Sequence, residues 1–176
     1  IFDYTFLQND RIVLQKNEVR LDELLNQLIT QSTLRLSEVE MEARFKSVAD
    51  QPVVEGDALK LVRVFENIFE NAMRYGRDGK YIDTFIDDTE DTVLIKMTNY
   101  GEEAIPSRDI PYVFERFFRV EKSRSHYTGG SGLGLAIAKS IVALHDGEIR
   151  VSSQPGETSF TIILPKKAYP PVQQKA

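Results

Sequence analysis

The 176-residue sequence contains no cysteine and only two histidines. Without cysteine, the chain forms neither disulfide bonds nor zinc–thiolate sites, and it has no thiolate nucleophile. No apolar run approaches the ~20 residues of a membrane-spanning helix, and no signal peptide is visible. The chain begins at Ile1, in what reads as the end of a structural element, so we expect a fragment of a longer protein.

The charge balance argues against one class of partner. Acidic residues outnumber basic ones by 27 to 22, which gives a net charge of −5, so no nucleic acid partner is expected. The sequence is 41% hydrophobic and 28% charged, and its length suits one globular domain with a sizeable core.

The hydrophobic pattern predicts alternating helices and strands. We expect the end of a helix at residues 1–7, and helices at 21–36, 58–75 (capped by Asp57), 109–118 and 132–145. We expect strands at 13–21, 43–48, 52–55, 81–86, 92–98, 148–153 and 159–164. This order predicts an α/β fold, a two-layer sandwich with helices on one face of a mixed, mostly antiparallel sheet.

Glycine is concentrated in one place: four of the ten glycines lie within residues 129–134, directly before an apolar, helix-prone run. Glycine adopts positive φ and lets a ligand approach the backbone closely. A glycine loop that opens a helix offers unpaired N–H groups to an anion, most often a phosphate. The alternative is a flexible surface loop followed by a core helix.

Polar residues form a narrow stripe along the predicted helix 58–75, opposite its apolar side. The stripe consists of Lys60, Arg63, Asn67, Asn71 and Arg74, and the apolar side of Leu61, Val62, Phe65, Ile68, Phe69 and Ala72. Asn67 and Asn71 are one turn apart, so their amide oxygens can bind one magnesium ion. The alternative is a solvated polar face.

Two further segments carry polar groups beside glycine or aromatic residues. Asn99, at a predicted strand end beside Gly101, could read an exocyclic amine such as adenine N6, but on this stretch alone an ordinary turn is the preferred alternative. Residues 113–120 combine three phenylalanines with two arginines, and Lys122, Arg124 and His126 follow. The composition suits a mobile lid that closes on phosphates, while core packing is the alternative for the phenylalanines.

In chain order, these segments resemble the N, G1, F and G2 boxes of the catalytic, ATP-binding domain of sensor histidine kinases. That domain belongs to the superfamily shared with gyrase, Hsp90 and MutL, and the pattern is most similar to Gram-positive sensors of the cell-wall-antibiotic type, including vancomycin-resistance kinases. The resemblance implies the end of a dimerisation helix and linker at residues 1–14, the catalytic domain at 15–165 and a flexible tail at 166–176.

The resemblance also implies roles for individual residues. Asn71, with Asn67 beside it, would bind Mg²⁺, and Asn99 would accept a hydrogen bond from adenine N6. Asn67, Arg119 and Arg124 would serve phosphoryl transfer. The ATP site would comprise Asn67, Asn71, Arg74, Tyr75, Asn99, Gly101, Ile105, Phe114, Arg119, Lys122, Arg124, Gly130, Gly132, Leu133, Gly134 and Leu135.

The sequence departs from the family pattern at two points. Asn99 replaces the usual aspartate, and the second glycine of that motif is lost, with one extra residue before Ile105. The phosphoacceptor box is absent, and we expect His126 and His145 to be structural or solvent-exposed. In addition, Asn67 stands where gyrase-type relatives have a general-base glutamate, so ATP hydrolysis is expected to be slow.

These features predict an ATP- and Mg²⁺-dependent protein-histidine kinase domain. It would phosphorylate a histidine on its own, separate dimerisation domain, for onward transfer to a response regulator. We expect a monomeric fragment of a homodimeric parent, on the cytoplasmic side of a membrane sensor. The alternatives are a nucleotide-gated switch without catalysis and an ATPase or serine kinase of the same superfamily.

Overall fold

The computed structural model describes residues 12–119 and 132–166. The predicted helix end at 1–7, most of the predicted lid and nearly all of the tail lie outside these ranges. The described helices are α1 (Leu21–Glu38), α2 (Ala58–Tyr75) and α3 (Gly134–Leu144). The described strands are β1 (Asn17–Arg20), β2 (Glu42–Ser47), β3 (Val53–Gly56), β4 (Tyr81–Asp88), β5 (Thr92–Asn99), β6 (Glu148–Gln154) and β7 (Glu157–Pro165).

The main sheet has the strand order β2-β4-β5-β7-β6. Strand β2 is parallel to β4, and the other neighbours are antiparallel. Alternate residues such as Ile82, Ile86, Ile95 and Phe160 are fully buried under the helices. Strands β1 and β3 form a separate antiparallel pair. The predicted two-layer sandwich with a mixed, mostly antiparallel sheet is therefore confirmed.

Helix α2 begins and ends where its sequence predicts. The Asp57 carboxylate accepts a hydrogen bond from the Lys60 backbone N–H at 3.2 Å, which caps the first turn. The buried face consists of Leu61, Val64, Phe65, Ile68, Phe69 and Ala72. Val64 therefore takes the buried place that the helical wheel assigned to Val62, which is only half-buried.

The predicted helix at 109–118 is wrong. Only a 3₁₀ turn, Ile110–Tyr112, forms there, with Pro111 inside it. Phe117 has a φ of +63°, which no right-handed helix accommodates, and its N–H donates to the carbonyl of Gly132 at 2.9 Å. A contact across the glycine loop therefore overrides the local helical pattern.

Two other elements are shorter than predicted. The strand expected at 13–21 forms only at 17–20, where β3 provides a partner. The helix expected from residue 132 begins at Gly134, because Gly132 has a φ of +72°. The β6–β7 hairpin turns at Pro155 and Gly156 as predicted, with a φ of +86° at Gly156. None of the helices among the described residues is long and apolar enough to cross a membrane.

Candidate functional site

The polar stripe of α2 meets the start of α3 at Asn67. Lys60, Arg63, Asn67, Asn71 and Arg74 are all half-buried, whereas Glu66 and Glu70 on the outer side of the same helix are exposed. The Asn67 side-chain amide donates to the Gly134 carbonyl at 3.0 Å. The stripe is therefore not an ordinary solvated face. With its Nδ2 engaged, Asn67 has its Oδ1 left to accept a hydrogen bond or bind a cation.

Helix α3 opens without a side-chain cap. Leu133 stands at the cap position and its side chain makes no capping hydrogen bond. The first N–H groups of the helix and the positive end of its dipole therefore point into the region beside Asn67. A Cβ added at Gly134 would lie 3.7 Å from the Asn67 side chain, which is ordinary contact, so the two helices approach closely here.

Gly132 is required by its surroundings. A Cβ there would lie 2.8 Å from the backbone of Phe117, and its φ of +72° is accessible at low cost only to glycine. At Gly132 the group that approaches closely is the chain's own backbone, whereas the ligand approach expected at the glycine loop stays a prediction. Gly130 lies outside the described residues.

The aromatic segment before the undescribed stretch mixes core and surface positions. The Phe114 ring packs edge-on against Phe160 with centroids 6.2 Å apart, and the Lys139 ammonium lies 5.6 Å from the Phe114 centroid. Phe117 is 58% exposed, and Arg119 lies at the surface. Core packing therefore accounts for Phe114, as the alternative expected, while Lys122, Arg124 and His126 lie outside the described residues.

The loop after β5 packs directly on the C-terminal end of α2. A Cβ at Gly76 would lie 2.6 Å from Asn99 Cβ, and a Cβ at Gly101 would lie 2.6 Å from the Tyr75 carbonyl oxygen. The Glu102 N–H donates to the Asp78 carboxylate at 2.8 Å. These contacts bring Asn99, Gly101 and Tyr75 together, as the predicted adenine end of a nucleotide site requires.

Asn99 is 4% exposed. Within residues 12–119 and 132–166, its side-chain amide makes no hydrogen bond. Among the described residues, only Thr84 Oγ1 is a fully enclosed side-chain polar atom without a partner. The Asn99 amide atoms are therefore not fully enclosed, and they are free to bond to solvent or to a ligand group.

A hydroxyl pair that the sequence reading missed holds the Asn99 loop in place. The Ile105 N–H donates to Ser153 Oγ at 2.8 Å, and Ser153 Oγ lies 2.6 Å from Thr158 Oγ1. Thr158 stands opposite Asn99 in the β5–β7 register. Nothing local distinguishes Ser153 and Thr158 from other polar residues of a surface hairpin. Only the strand register shows that they support this loop.

The two ends of the site are separated by the length of α2 between them. Nine residues lie from Asn67 to Gly76, which is about 13 Å at 1.5 Å per residue. One end has the uncapped start of α3 and two asparagines, and the other has the unpaired Asn99 amide. The described residues contain no group of three or more acidic or histidine side chains that could hold a metal ion. A cation here would therefore rely on the oxygens of Asn67 and Asn71 and on those of its ligand.

His145 lies at the far end of α3 and is structural, as expected. It is 6% exposed, its Nδ1 bonds to the Ile141 carbonyl at 2.8 Å, and its Nε2 accepts the Asp57 backbone N–H at 3.0 Å. Burial alone would raise the pKa of Asp57, but hydrogen bonds from Lys60 and the Gln15 backbone hold it below its ordinary value. Both ring nitrogens of His145 are thus engaged in hydrogen bonds.

Comparison with known proteins agrees with this geometry. The model of the family described as histidine kinase-, DNA gyrase B- and HSP90-like ATPases matches residues 56–168. The chain belongs to this ATPase family. Its relatives include the sensor protein VanS of Enterococcus faecium, 37% identical over 93% of this chain and 42% of VanS. The sensor histidine kinase WalK of Bacillus subtilis is 41% identical over 65% of this chain and 19% of WalK. The chain thus spans less than half the length of these relatives.

Solved structures share the fold of this family member. The mycobacterial sensor histidine kinase MprB is 29% identical, with a TM-score of 0.70 over 85% of this chain and 97% of the MprB chain. Full-length ShkA in complex with AMPPNP has a TM-score of 0.80 at 22% identity, over 97% of this chain and 35% of the ShkA chain. ThkA in complex with the response regulator TrrA has a TM-score of 0.78 at 21% identity, over 94% of this chain and 46% of the ThkA chain. The fold prediction and the histidine-kinase resemblance are confirmed.

Proposed function

We propose that this domain binds Mg²⁺-ATP and transfers the γ-phosphate to a histidine on a separate dimerisation domain, for onward transfer to a response regulator. The observation that carries the proposal is the bond from Asn67 to Gly134. It places the Asn67 side chain, one helical turn from Asn71, beside the uncapped start of α3. The names of the relatives and of the structural neighbours support it.

The phosphate end of the site would neutralise charge, which is the main requirement of phosphoryl transfer. Asn67 and Asn71 would hold Mg²⁺, which supplies positive charge to phosphate oxygens when bound. Because Gly134 fixes the Asn67 amide nitrogen, the Asn67 oxygen is oriented before a ligand arrives. Arg74, the backbone of Gly130, Gly132 and Gly134, and the lid residues Arg119, Lys122 and Arg124 would contact phosphate.

The other end of the site would hold the base. Tyr75 and Gly101 border Asn99, and the Ser153–Thr158 pair fixes the backbone of Ile105. The Asn99 side-chain amide, which has no partner among the described residues, would form a hydrogen bond with the group at the 6-position of a purine. Ile105, Leu133 and Leu135 are buried or half-buried and would line the site with apolar surface. Phe114 would border the site only through its packing on the core.

The acceptor histidine would belong to another domain. His145 has both ring nitrogens engaged by Ile141 and Asp57, so it offers no free nitrogen to a phosphoryl group. Asn67 is an amide and cannot take a proton from water, so net ATP hydrolysis would be slow. We further propose that the parent protein is a homodimeric membrane sensor with this domain on its cytoplasmic side, and that it is a sensor of the VanS type with a role in antibiotic resistance.

The test is to mix this fragment, labelled Mg²⁺-ATP and a separately prepared dimerisation domain of the same protein. We expect acid-labile, alkali-stable phosphate on the dimerisation domain and none on the fragment alone. Asn71→Ala should abolish the transfer, while Glu66→Ala, on the exposed side of the same helix, should leave it unchanged. Nucleotide binding without transfer would instead favour a nucleotide-gated switch. Stoichiometric phosphate on His126 or His145 would contradict the assignment of the acceptor to another domain.

A further inference from the structure

Asn99 is a neutral amide at the base end of the proposed site, and no described residue fixes the orientation of its side chain by a hydrogen bond. Its side chain is more than nine-tenths buried, lies against Gly76 and bonds to no other described residue. An amide has an acceptor and a donor of nearly the same shape, and hydrogen bonding alone decides which way it points. No contact of that kind within the described ranges selects either orientation.

The neighbouring charged group is already engaged. Asp78 lies on the turn after α2, and one of its carboxylate oxygens accepts the Glu102 N–H at 2.8 Å. The Ser153 and Thr158 hydroxyls bond to each other and to Ile105. One Asp78 oxygen and both hydroxyls are thus engaged, whereas the Asn99 amide, which the proposed function places at the 6-position of the purine, has no described partner.

We infer that Asn99 makes this site accept 6-oxopurine nucleotides as well as adenine nucleotides. The inference rests on the proposed function, in which Asn99 faces the 6-position of the base. An adenine presents an amino group there, which donates to Asn99 Oδ1. A hypoxanthine or guanine presents a carbonyl oxygen, which accepts from Asn99 Nδ2 after a half-turn of the amide. A carboxylate at this position is acceptor-only, so it serves the amino group and opposes the oxo group.

The expected difference in affinity between the two bases depends on which polar groups each base leaves without a hydrogen bond. With asparagine, both bases form one neutral hydrogen bond at the 6-position, so their dissociation constants should lie within about tenfold of each other. With aspartate, the oxo base would leave a buried carboxylate facing an acceptor, and the preference for adenine should widen by roughly tenfold or more.

Calorimetric titration of this domain with Mg²⁺-ADP and Mg²⁺-IDP tests the inference, because neither diphosphate carries a transferable γ-phosphate. The wild-type domain should bind both within about tenfold. Asn99→Asp is isosteric, and a thermal unfolding scan shows whether it is folded. In that variant, the ratio of the IDP to the ADP dissociation constant should rise by about tenfold or more.

The outcomes separate the inference from the proposed function. ADP binding with IDP weaker by more than about tenfold in the wild type overturns the inference and leaves the nucleotide site standing. An unchanged ratio in Asn99→Asp overturns it as well, because the 6-position would then be read elsewhere. If the wild type binds neither nucleotide, the proposed site itself fails. The wild-type comparison needs no variant, so poor folding of Asn99→Asp does not prevent a decision.

Discussion

The two ends of the packed α2–α3 pair differ in whether their polar groups are hydrogen-bonded within the protein. At the end where α2 begins, Asp57 accepts N–H groups from Gln15 and Lys60, and its own N–H binds the ring of His145. At the end where α3 begins, the Asn99 side-chain amide has no hydrogen-bond partner among the described residues, and α3 opens without a side-chain cap. Polar groups that are paired stabilise the fold, and polar groups left unpaired at the opposite end are available to a ligand.

Removing a side chain from the hydrogen-bonded end, where Asp57 meets His145, should have the largest effect on the free energy of unfolding. His145→Ala deletes a buried ring and leaves the Asp57 N–H without an acceptor, so we expect a loss of about 3–5 kcal/mol in the free energy of unfolding. Denaturant titration measures it, with His145→Gln as a control that can still offer an acceptor oxygen. If His145→Ala instead lowered nucleotide affinity without loss of stability, the assignment of stability to one end and of ligand binding to the other would be wrong.

Removing a proposed metal-binding side chain at the other end, where α3 begins, should lower nucleotide affinity and leave stability nearly unchanged. Asn71→Ala should weaken Mg²⁺-nucleotide binding by roughly a hundredfold, because an oxygen that bonds to a charged ligand is lost. Asn71 is half-buried, so the unfolding free energy should change little. Calorimetry with a non-hydrolysable ATP analogue and Mg²⁺ checks the affinity. Glu66→Ala is the matched control, and retention of full affinity by Asn71→Ala would place the metal elsewhere.

A third group of hydrogen-bonded residues, centred on the Asp88 carboxylate, gives a comparison through the pH dependence of stability. Hydrogen bonds from the Lys166 ammonium and from the Asp50 and Gln51 N–H groups lower the pKa of Asp88 to about 2. A lowered carboxyl pKa stabilises the folded state above the unfolded value near 4, and that contribution disappears as the pH falls from about 4 to 2. We expect roughly 2 kcal/mol of unfolding free energy to be lost across this window.

Denaturant titrations at a series of pH values measure this loss. Asp88→Asn should be less stable at neutral pH and should show a flatter dependence on pH below 5, with unchanged nucleotide affinity. A wild-type profile that is already flat between pH 2 and pH 4 would contradict the role assigned to the Asp88 carboxylate.

The smallest effect is expected beside Asn99 itself. The Tyr100 hydroxyl donates to the Asp83 carboxylate, which Arg44 also binds, on β4. Tyr100→Phe should lower the unfolding free energy by about 1 kcal/mol and leave nucleotide affinity unchanged, because this side chain bonds to the sheet and not to the site. A loss of affinity comparable with that of Asn71→Ala would show that Tyr100, the residue after Asn99, also belongs to the nucleotide site.

Local patterns predicted the elements whose cause is local. The cap at Asp57 and the apolar spacing of α2 act within a few turns, so the bounds of that helix were predictable. The glycine loop before α3 was recognisable for the same reason. The Asn67/Asn71 pair was also visible in the sequence, because residues four apart on a helix always share a face.

The predicted helix at 109–118 fails where a distant contact takes over. Phe117 bonds to Gly132 across the undescribed stretch, and this contact holds it at a positive φ that its own sequence does not favour. The start of α3 shifts to Gly134 because Gly132 takes part in the same contact.

The sequence by itself determined the layers of this fold, the polar stripe on α2 and the family to which the chain belongs, because periodicity, capping and motif spacing are properties of neighbouring residues. Only the tertiary structure decided whether that stripe is solvated or paired, and which polar residues are partners. The bonds from Asn67 to Gly134, from Ser153 to Ile105 and from Asp57 to His145 join residues 67, 48 and 88 positions apart. Such pairings depend on strand register and helix packing, and no local pattern contains them.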